Sequence, residues 1–388
     1  MNDGVTTHRL SEPFTTEGGF TFEAPEVAYK TWGTLSPTAD NAVLVCHALT
    51  GHAAADEWMG DLLGEGKLLD PARHFVIATN ALGSCYGTTG PRSRNPVTGE
   101  PYGGAFPQVT IRDMVRLQRR LLDDLGVRRL ALVLGGSMGG MQALEWAAMD
   151  ALGEHEFEGG GPDGQPFVGR LAVLAAGGAH TAWQIGISEA QRSAITADPR
   201  WRGGFYPPYD PPRAGLAAAR QMAMMTYRSP LLFAERFART QRGDGTFEIA
   251  SYLQHQGEKL VQRFDAVTYV RLTEAMDSHD VARDRADLTG ADALDRVTTP
   301  AVVVGITSDV LYPPHEQQAL AAALPNGTYL ELDSPFGHDA FLVDFEKLDA
   351  LLRPFVHAAL SDSGASDSVT PGKSAPLARR AADRAALA

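Results

Sequence analysis

One apolar run that ends in a glycine-flanked serine constrains the fold more than any other stretch of the sequence. Residues 130–134, Leu-Ala-Leu-Val-Leu, predict a strand buried on both faces, as in a parallel sheet. Gly-Gly-Ser-Met-Gly follows at 135–139, and residues 141–148 are good helix formers. A strand, a Gly-x-Ser-x-Gly turn and a helix in direct succession are typical of the tight turn that presents a nucleophilic serine.

The same turn determines the chemistry open to Ser137. Side chains at Gly135 and Gly139 would collide with neighbouring backbone, so we expect the serine hydroxyl to stand exposed above the strand ends. The helix N-terminus beneath it favours developing negative charge. The alternative is a glycine-rich turn whose serine only caps a helix, but the flanking strand and helix favour a nucleophile.

Composition limits the partners and the compartment. The chain has 388 residues with 44% hydrophobic content, which suits a soluble globular core plus a subdomain or tail. Its net charge of −13 argues against nucleic acid and anionic membranes as partners, although a local arginine can still bind a small anion. Two cysteines, no signal peptide and no apolar run of bilayer length predict a cytoplasmic protein.

The order of predicted elements is that of an α/β protein with a mostly parallel central sheet flanked by helices. An amphipathic helix is predicted over 109–125. Strands are predicted at 21–24, 27–32, 42–46, 75–79, 130–134, 171–176, 301–306 and 329–332.

The domain organisation follows from where the strands stop and resume. Residues 180–295 carry helical patterns without a convincing core strand, which indicates a helical lid inserted between two parts of the core, 1–179 and 296–360. The Gly- and Pro-rich stretch at 159–166 is predicted to be a surface insertion, and 361–388 a disordered tail.

Three residues follow one another in the order of α/β-hydrolase catalytic triads. Ser137 precedes Asp309, at the carboxyl end of a core strand, and His338, in the loop after the last strand. A serine alcohol is a poor nucleophile at neutral pH, so the histidine must take its proton and a carboxylate must orient the imidazole. The rival acid is Asp333, which lies awkwardly close to the histidine loop, and the rival base is His315, which is predicted to open a helix.

Two backbone N–H groups are predicted to form an oxyanion hole. One belongs to Met138, directly after the serine, and the other to the loop that follows an early strand. In that loop Leu49 is favoured over Thr50. The neighbouring His47 and His52 are interpreted as structural or loop residues.

The residues so far predict acyl transfer through an acyl-serine and leave the acceptor open. Analogy of fold allows an esterase, a thioesterase, a peptidase or an acyltransferase. An intact triad disfavours a non-catalytic protein that merely keeps the fold. No His, Cys and carboxylate group has metal-ligand spacing, so neither a metal nor a tightly bound cofactor is expected.

Several long motifs resemble one family, the homoserine O-acyltransferases of methionine biosynthesis. The similarity runs from about residue 13 to residue 358 and is much more specific than a bare Gly-x-Ser-x-Gly. The matching segments are Gly135–Trp146, Cys46–Gly51, Asn80–Ser93, Tyr102–Met114 and His180–Ile185.

The resemblance implies an α/β-hydrolase core, a helical lid and a homodimer formed through the lids. It also implies a ping-pong reaction in which an acyl group moves from acyl-CoA to Ser137 and then to the hydroxyl of L-homoserine. Ser137, Asp309 and His338 fall on the family triad. The insertion at 159–166 is longer than is usual in the family, and the tail beyond 360 lies outside the similarity.

The resemblance further implies three substrate-binding residues. Arg220 and Tyr227 match the family's substrate-binding pair, and Asp339 matches the residue that holds the homoserine amine. An amino-acid acceptor carries a carboxylate that suits an arginine and an ammonium that suits an aspartate. Taken without the family pattern, Arg220 would be interpreted as part of a solvated helix face.

The acyl group is predicted from one position in the loop that carries Asp309. Succinyl-using members of the family have an arginine two residues after the triad aspartate, where this chain has Leu311. A buried succinyl carboxylate without a partner would cost several kcal/mol, so acetyl-CoA is the expected donor, although an arginine from the lid would compensate. Serine as acceptor, and an esterase or thioesterase on the same fold, remain the alternatives.

Overall fold

The computed structural model describes residues 4–157, 160–161, 164–285 and 288–361. Their strands form an eight-stranded central sheet and a separate two-stranded sheet. The strands are β1 (Thr6–Arg9), β2 (Phe14–Thr15), β3 (Thr21–Phe22), β4 (Glu26–Trp32), β5 (Ala42–Cys46), β6 (Phe75–Thr79), β7 (Leu130–Gly136), β8 (Leu171–Leu174), β9 (Ala301–Ile306) and β10 (Gly327–Leu332).

The central sheet is parallel except at one edge. Its strand order is β1-β4-β6-β5-β7-β8-β9-β10. β1 and β4 pair antiparallel, as do β4 and β6, whereas all other neighbours in the sheet are parallel. β5, β7, β8 and β9 are buried at every position, as expected of strands covered on both faces. The predicted parallel α/β-hydrolase sheet is confirmed.

Helices cover both faces of this sheet, and apolar clusters lie between the layers. The predicted amphipathic helix is observed and is bounded by a capping box: the Thr110 hydroxyl accepts from the Asp113 N–H at 3.1 Å, and the Asp113 carboxylate accepts from the Thr110 N–H at 3.1 Å. The helices are α1 (Ala55–Trp58), α2 (Ile111–Asp124), α3 (Met138–Leu152), α4 (Ala182–Thr196), α5 (Arg213–Tyr227), α6 (Pro230–Phe237), α7 (Glu248–Arg263), α8 (Ala266–Asp277), α9 (Gly290–Asp295), α10 (Pro314–Ala323) and α11 (Phe345–Ser361).

Helices α4 to α8 form a lid inserted between β8 and β9. The chain enters and leaves the lid through two antiparallel segments that pair at Ala179 and Asp280. The His180 N–H donates to the His279 carbonyl at 2.8 Å, and the Val281 N–H donates to the Gly178 carbonyl at 3.0 Å. This narrow neck joins the lid to the core next to the carboxyl ends of the parallel strands.

The neck does not coincide with the predicted lid boundary at residue 295. Residues 290–295 form α9, and Leu294 and Val297 join the core cluster that contains Val303 and Leu320. We therefore end the lid near residue 280 and assign α9 to the core. Its helical pattern resembles that of the lid, and a pattern alone does not show which layer a helix packs on.

The observed strands differ from the predicted ones at two short strands and at the start of the last strand. Both β1 and β2 are absent from the prediction because they are short, and β1 is polar and largely exposed. The last strand begins at Gly327, two residues before the prediction. Of the predicted tail, Ser361 is the last residue of α11, and 362–388 lie outside the described residues, as do residues 159, 162 and 163 of the predicted insertion. Among the helices that the structure describes, none is long and apolar enough to cross a membrane.

Candidate active site

Ser137 sits in a strained turn between β7 and α3. Its backbone has φ 55° and ψ −125°, which is unusual for a residue with a side chain. A Cβ at Gly135 would lie 2.1 Å from the Gly139 carbonyl oxygen, and a Cβ at Gly139 would lie 2.1 Å from the Cys46 carbonyl oxygen. Both glycines are therefore required by close backbone contacts, as the motif predicts.

The backbone before α3 brings the predicted oxyanion-hole residues to one end of the sheet. Met138 is the first residue of α3, so its N–H lies at the helix N-terminus. Because Gly139 packs directly on the Cys46 carbonyl, the loop after β5 begins beside this helix end. In that loop the Gly51 N–H donates to the Ala48 carbonyl at 2.8 Å, which closes a turn with Leu49 at its second position.

The neighbouring cysteine and histidine serve the fold. Burial raises the pKa of the Cys46 thiol well above its ordinary range, so the group is not a thiolate. His47 is buried, and its Nε2 accepts the Ala81 N–H at 3.0 Å while its Nδ1 donates to the Ala48 carbonyl at 2.8 Å. Burial lowers the pKa of His47 to about 4, which keeps the imidazole neutral.

Asp309 and His338 form a buried pair. His338 Nδ1 lies 2.7 Å from Asp309 Oδ2, and both side chains are almost fully enclosed. Asp309 Oδ1 accepts the N–H groups of Leu311 at 2.8 Å and Tyr312 at 2.9 Å. The carboxylate is thus held by its own loop and fixes the proton on His338 Nδ1, which leaves Nε2 as a base.

The rival acid and base lie elsewhere. Asp333 is exposed and its carboxylate accepts the Thr307 hydroxyl at 3.3 Å. His315 is exposed within the first turn of α10. The structure therefore pairs His338 with Asp309 and not with Asp333.

Aromatic rings enclose the His338 imidazole. The Tyr312 ring is stacked on it with centroids 5.2 Å apart, and the Tyr227 ring lies 5.8 Å away. The Phe341 ring lies nearly perpendicular to the imidazole, with the two ring centroids 5.5 Å apart. Phe341 also packs against Gly136, where a Cβ would meet its ring at 2.5 Å. The same ring therefore touches the residue before the serine and the imidazole.

Of the three residues assigned to substrate binding by family resemblance, Arg220 and Asp339 are buried and Tyr227 is half-buried beside this histidine. Arg220 is only 2% exposed, so it does not belong to a solvated helix face. Its guanidinium carbon lies 5.3 Å from the Tyr227 ring centroid. Burial raises the pKa of Asp339, and the charges of Arg228 and Arg220 oppose that rise.

Arg228 is a residue of this site that sequence reasoning missed. Its Nε lies 3.0 Å from Asp339 Oδ2, and the two atoms form an ion pair without the alignment of a hydrogen bond. Gly337, with φ 70°, lets the chain pass so close to the lid that a Cβ would lie 2.6 Å from the Ser229 nitrogen. The only available signal was the position of Arg228 next to Tyr227.

A cavity with a volume of about 760 Å³ lies to one side of these residues. Arg263 lines it and connects it to the loop after β5, since its guanidinium donates to the Thr50 carbonyl at 2.9 Å and to the Tyr86 hydroxyl at 2.7 Å. The residues that the structure describes include no cluster of three or more His, Cys, Asp or Glu side chains able to hold a metal.

A serine on a strained turn, a buried aspartate–histidine pair and a parallel sheet define the class of protein. The family model for the alpha/beta hydrolase fold matches residues 41–345. The solved structure of homoserine O-acetyltransferase from Bacillus anthracis superposes with a TM-score of 0.80 at 26% identity, covering 92% of this chain and 97% of that one. The esterase E22 structure is equally similar, with a TM-score of 0.80 at 26% identity over 91% of this chain and 99% of that one.

A curated relative narrows the class further. The homoserine O-acetyltransferase of Chlorobium luteolum is 51% identical over 353 residues, covering 90% of this chain and 94% of the relative. The chain belongs to the homoserine O-acetyltransferase family of acyltransferases.

Proposed function

We propose that the chain transfers an acetyl group from acetyl-CoA to the hydroxyl of L-homoserine through an acetyl-Ser137 intermediate, in methionine biosynthesis. The proposal assigns Ser137, Asp309 and His338 as the catalytic triad. Its main support in the geometry is that Arg220 and Asp339, two opposite charges, are both buried and close enough to interact, directly after His338 in the case of Asp339. An esterase has no need of such a pair, whereas an amino-acid acceptor does.

In the first half-reaction His338 Nε2 takes the proton of Ser137, and the serine oxygen attacks the thioester carbonyl. The N–H groups of Met138 and Leu49 bind the oxyanion that forms. Collapse of the tetrahedral intermediate breaks the carbon–sulfur bond, and the proton passes from His338 to the sulfur of departing CoA. Asp309 stabilises the imidazolium throughout, because its two oxygens are already held by His338 and the loop N–H groups.

In the second half-reaction L-homoserine enters after CoA has left, which makes the mechanism ping-pong. Arg220, with Tyr227, binds its carboxylate, and Asp339 binds its ammonium. The hydroxyl then loses its proton to His338 and attacks the acetyl-serine, and collapse returns the proton to Ser137. The pairing of Asp339 with Arg228 supports this assignment, because the arginine charge opposes the rise that burial causes in the pKa of Asp339 and so favours the carboxylate that would bind an ammonium.

The proposed donor is acetyl-CoA, with no tightly bound cofactor. Leu311, two residues after Asp309, is buried, and its apolar side chain offers a succinyl carboxylate no partner. Arg228 is a lid arginine close to the site, but its guanidinium already faces Asp339. The name of the 51% identical relative also supports acetyl as the acyl group.

The test measures thiol release from acetyl-CoA and from succinyl-CoA, each with and without L-homoserine. The matched control is Ser137→Ala, which removes only the proposed nucleophile. We expect sustained release from acetyl-CoA only when L-homoserine is present, because without it each Ser137 releases one CoA and stays acetylated. We expect a loss of at least about 10³-fold in the variant.

Three other results would contradict parts of the proposal. A preference for succinyl-CoA would show that the argument from Leu311 is wrong, and equal rates with L-serine would remove the acceptor assignment. Release that ignores the acceptor would mean that water receives the acyl group, in which case the protein is a hydrolase like its structural neighbour.

We further propose that two copies associate through their lids. In the described part of the chain, every large apolar side chain that is exposed lies in the lid, apart from Phe20 and Val97. Such a concentration is typical of an interaction surface. The exposed lid residues are Trp183, Ile185, Phe205, Tyr209, Met222, Met225, Leu231 and Phe247.

A further inference from the structure

Tyr312 contacts both members of the buried acid–base pair. Its backbone N–H donates to Asp309 Oδ1 at 2.9 Å. Its ring is stacked on His338, with centroids 5.2 Å apart and planes inclined by 24°. The residue is 1% exposed, so nothing but protein surrounds it. A change in the position of Tyr312 would therefore move the carboxylate and the imidazole together.

The Tyr312 hydroxyl is held from the lid. It lies 2.9 Å from Nε2 of His180, the first residue of the lid. His180 Nδ1 lies 2.9 Å from Asp277 Oδ1, at the end of α8. The other oxygen of Asp277 lies 2.6 Å from a guanidinium nitrogen of Arg192, on α4. A chain of polar contacts thus runs from two lid helices to the ring that packs on His338.

In this chain of polar contacts, the hydrogen-bond partners determine which atom carries each proton. A carboxylate can only accept, so His180 Nδ1 carries the proton that Asp277 receives. In the neutral imidazole Nε2 is then an acceptor, and the Tyr312 hydroxyl donates to it. Burial raises the pKa of Tyr312 well above its ordinary value, so the phenol keeps the proton that it donates. Asp277 and His180 are thus a second aspartate–histidine pair. Its imidazole faces the phenol of Tyr312, whereas the imidazole of the first pair, Asp309 and His338, is assigned to Ser137.

We propose that Tyr312 is a positioning residue for the Asp309–His338 pair, and that His180 and Asp277 hold it in place from the lid. The inference rests on the proposed function, because it concerns the rate at which His338 activates Ser137. A phenol that donates its proton has a more electron-rich ring, and an electron-rich face stabilises the imidazolium that forms during attack. Fixed stacking also keeps the His338 imidazole in the orientation in which it is paired with Asp309.

The experiment uses an activated acetate ester, 4-nitrophenyl acetate, and follows the rapid release of nitrophenol that reports acetylation of Ser137. Tyr312→Phe keeps the ring and the backbone N–H but removes the hydroxyl. We expect acetylation about 10-fold slower in Tyr312→Phe, with the KM for L-homoserine in the transfer reaction unchanged within twofold. Tyr206→Phe is the matched control, since it removes a lid hydroxyl that donates to Asp265 at 2.8 Å, away from His338.

A second variant tests the contacts that hold Tyr312 from the lid. Asp277→Asn keeps the size of the side chain but removes the charge that orients His180. We expect it to slow acetylation about as much as Tyr312→Phe, and the double variant to be no slower than either single one, because both act through the same ring. This prediction holds even where Tyr312→Phe does not fold, since Asp277 lies in the lid.

The outcomes separate the inference from the proposed function. Acetylation at the rate of the unchanged protein in Tyr312→Phe or in Asp277→Asn would overturn the inference, as would an equal loss in Tyr206→Phe. Additive losses in the double variant would also overturn it. A protein that shows no Ser137-dependent acetylation at all would overturn the proposed function, and the inference with it.

Discussion

At the scale of single residues, Asp339 decides whether the site is built for an amino acid. It is 3% exposed and faces Arg228 across 3.0 Å. A buried carboxylate is costly unless it is paired, so a fold that needed only an ester would place no charge here. The charge of Arg228 opposes the rise that burial causes in the pKa of Asp339.

The substitution Asp339→Asn tests this role. Loss of a charge-assisted hydrogen bond to the ammonium of L-homoserine is worth about 1.5–3 kcal/mol, so we expect its KM to rise by about 10- to 100-fold. Acetylation by 4-nitrophenyl acetate, which has no ammonium, should change by less than about threefold. Asp333→Asn, at an exposed carboxylate, is the matched control. An unchanged KM in Asp339→Asn would remove the assignment.

Residues that carry a local motif could be predicted from the sequence, whereas residues that act through distant contacts could not. Ser137 lies in a motif whose glycines are demanded by backbone distances. The contact between His180 and Asp277 joins positions 97 residues apart, and no periodicity or spacing connects them. The role of Arg228 could not be predicted for the same reason, because its partner is the carboxylate of Asp339, on a distant loop of the core.

At the scale of elements, the turn between β7 and α3 tolerates almost no added side-chain atoms. Its strain at Ser137 persists because close contacts on both sides of the turn leave the backbone no room to relax. The Ser137 N–H also donates to the Leu174 carbonyl at 2.9 Å, which ties the turn to β8.

Gly139→Ala tests the packing of this turn. The added methyl group would lie 2.1 Å from the Cys46 carbonyl oxygen, so the backbone of β5 or α3 must move. We expect a loss of about 1–3 kcal/mol in the free energy of unfolding from urea titration, together with a large loss of acetylation. The matched control is Gly186→Ala, in the exposed part of α4, where a methyl group meets nothing within 4 Å and a slight stabilisation is expected. Equal stability of both variants would contradict the packing argument.

Elements with strong apolar patterns could be predicted, because burial on both faces leaves a clear signal. The strands β5 and β7 are continuous apolar runs, and the sequence identifies them. β1 has mostly exposed positions and pairs only at the sheet edge, so its sequence carries no such signal. The boundary of the lid depends on which layer α9 packs against, which is a tertiary property.

At the scale of the whole molecule, the apolar lid surface predicts association. Leu231 is 69% exposed in α6, and Met225 is 49% exposed in α5. We expect the protein to sediment at twice its chain mass of 41.5 kDa, and the double substitution Met225→Glu and Leu231→Glu to shift it towards the monomer. Val97→Glu, at a residue 90% exposed on the core, should leave the mass unchanged. A monomer at micromolar concentration would contradict the proposed dimer.

Buried neutral histidines also make the stability of the whole molecule depend on pH. His279 lies in the neck of the lid, and its Nε2 faces the Gly177 carbonyl at 3.3 Å. Burial lowers its pKa to about 3, and the pKa of His47, in the loop after β5, is lowered to about 4 for the same reason. Neither side chain can accept a proton without breaking its surroundings.

The sign of the effect follows from proton binding in the two states. Since the folded pKa of His279 lies below its ordinary value of 6.5, the unfolded chain binds the proton first as the pH falls. Stability is therefore complete above pH 6.5 and declines below it, by up to about 1.4 kcal/mol per pH unit for each such histidine. Urea titrations between pH 5 and 6.5 measure this slope. His279→Gln keeps a hydrogen-bond donor but cannot titrate, so we expect its slope to be lower by about half a proton at pH 6.5 and by close to one proton at pH 5. An identical slope in the variant would show that His279 is protonated to the same extent in the folded and unfolded chains.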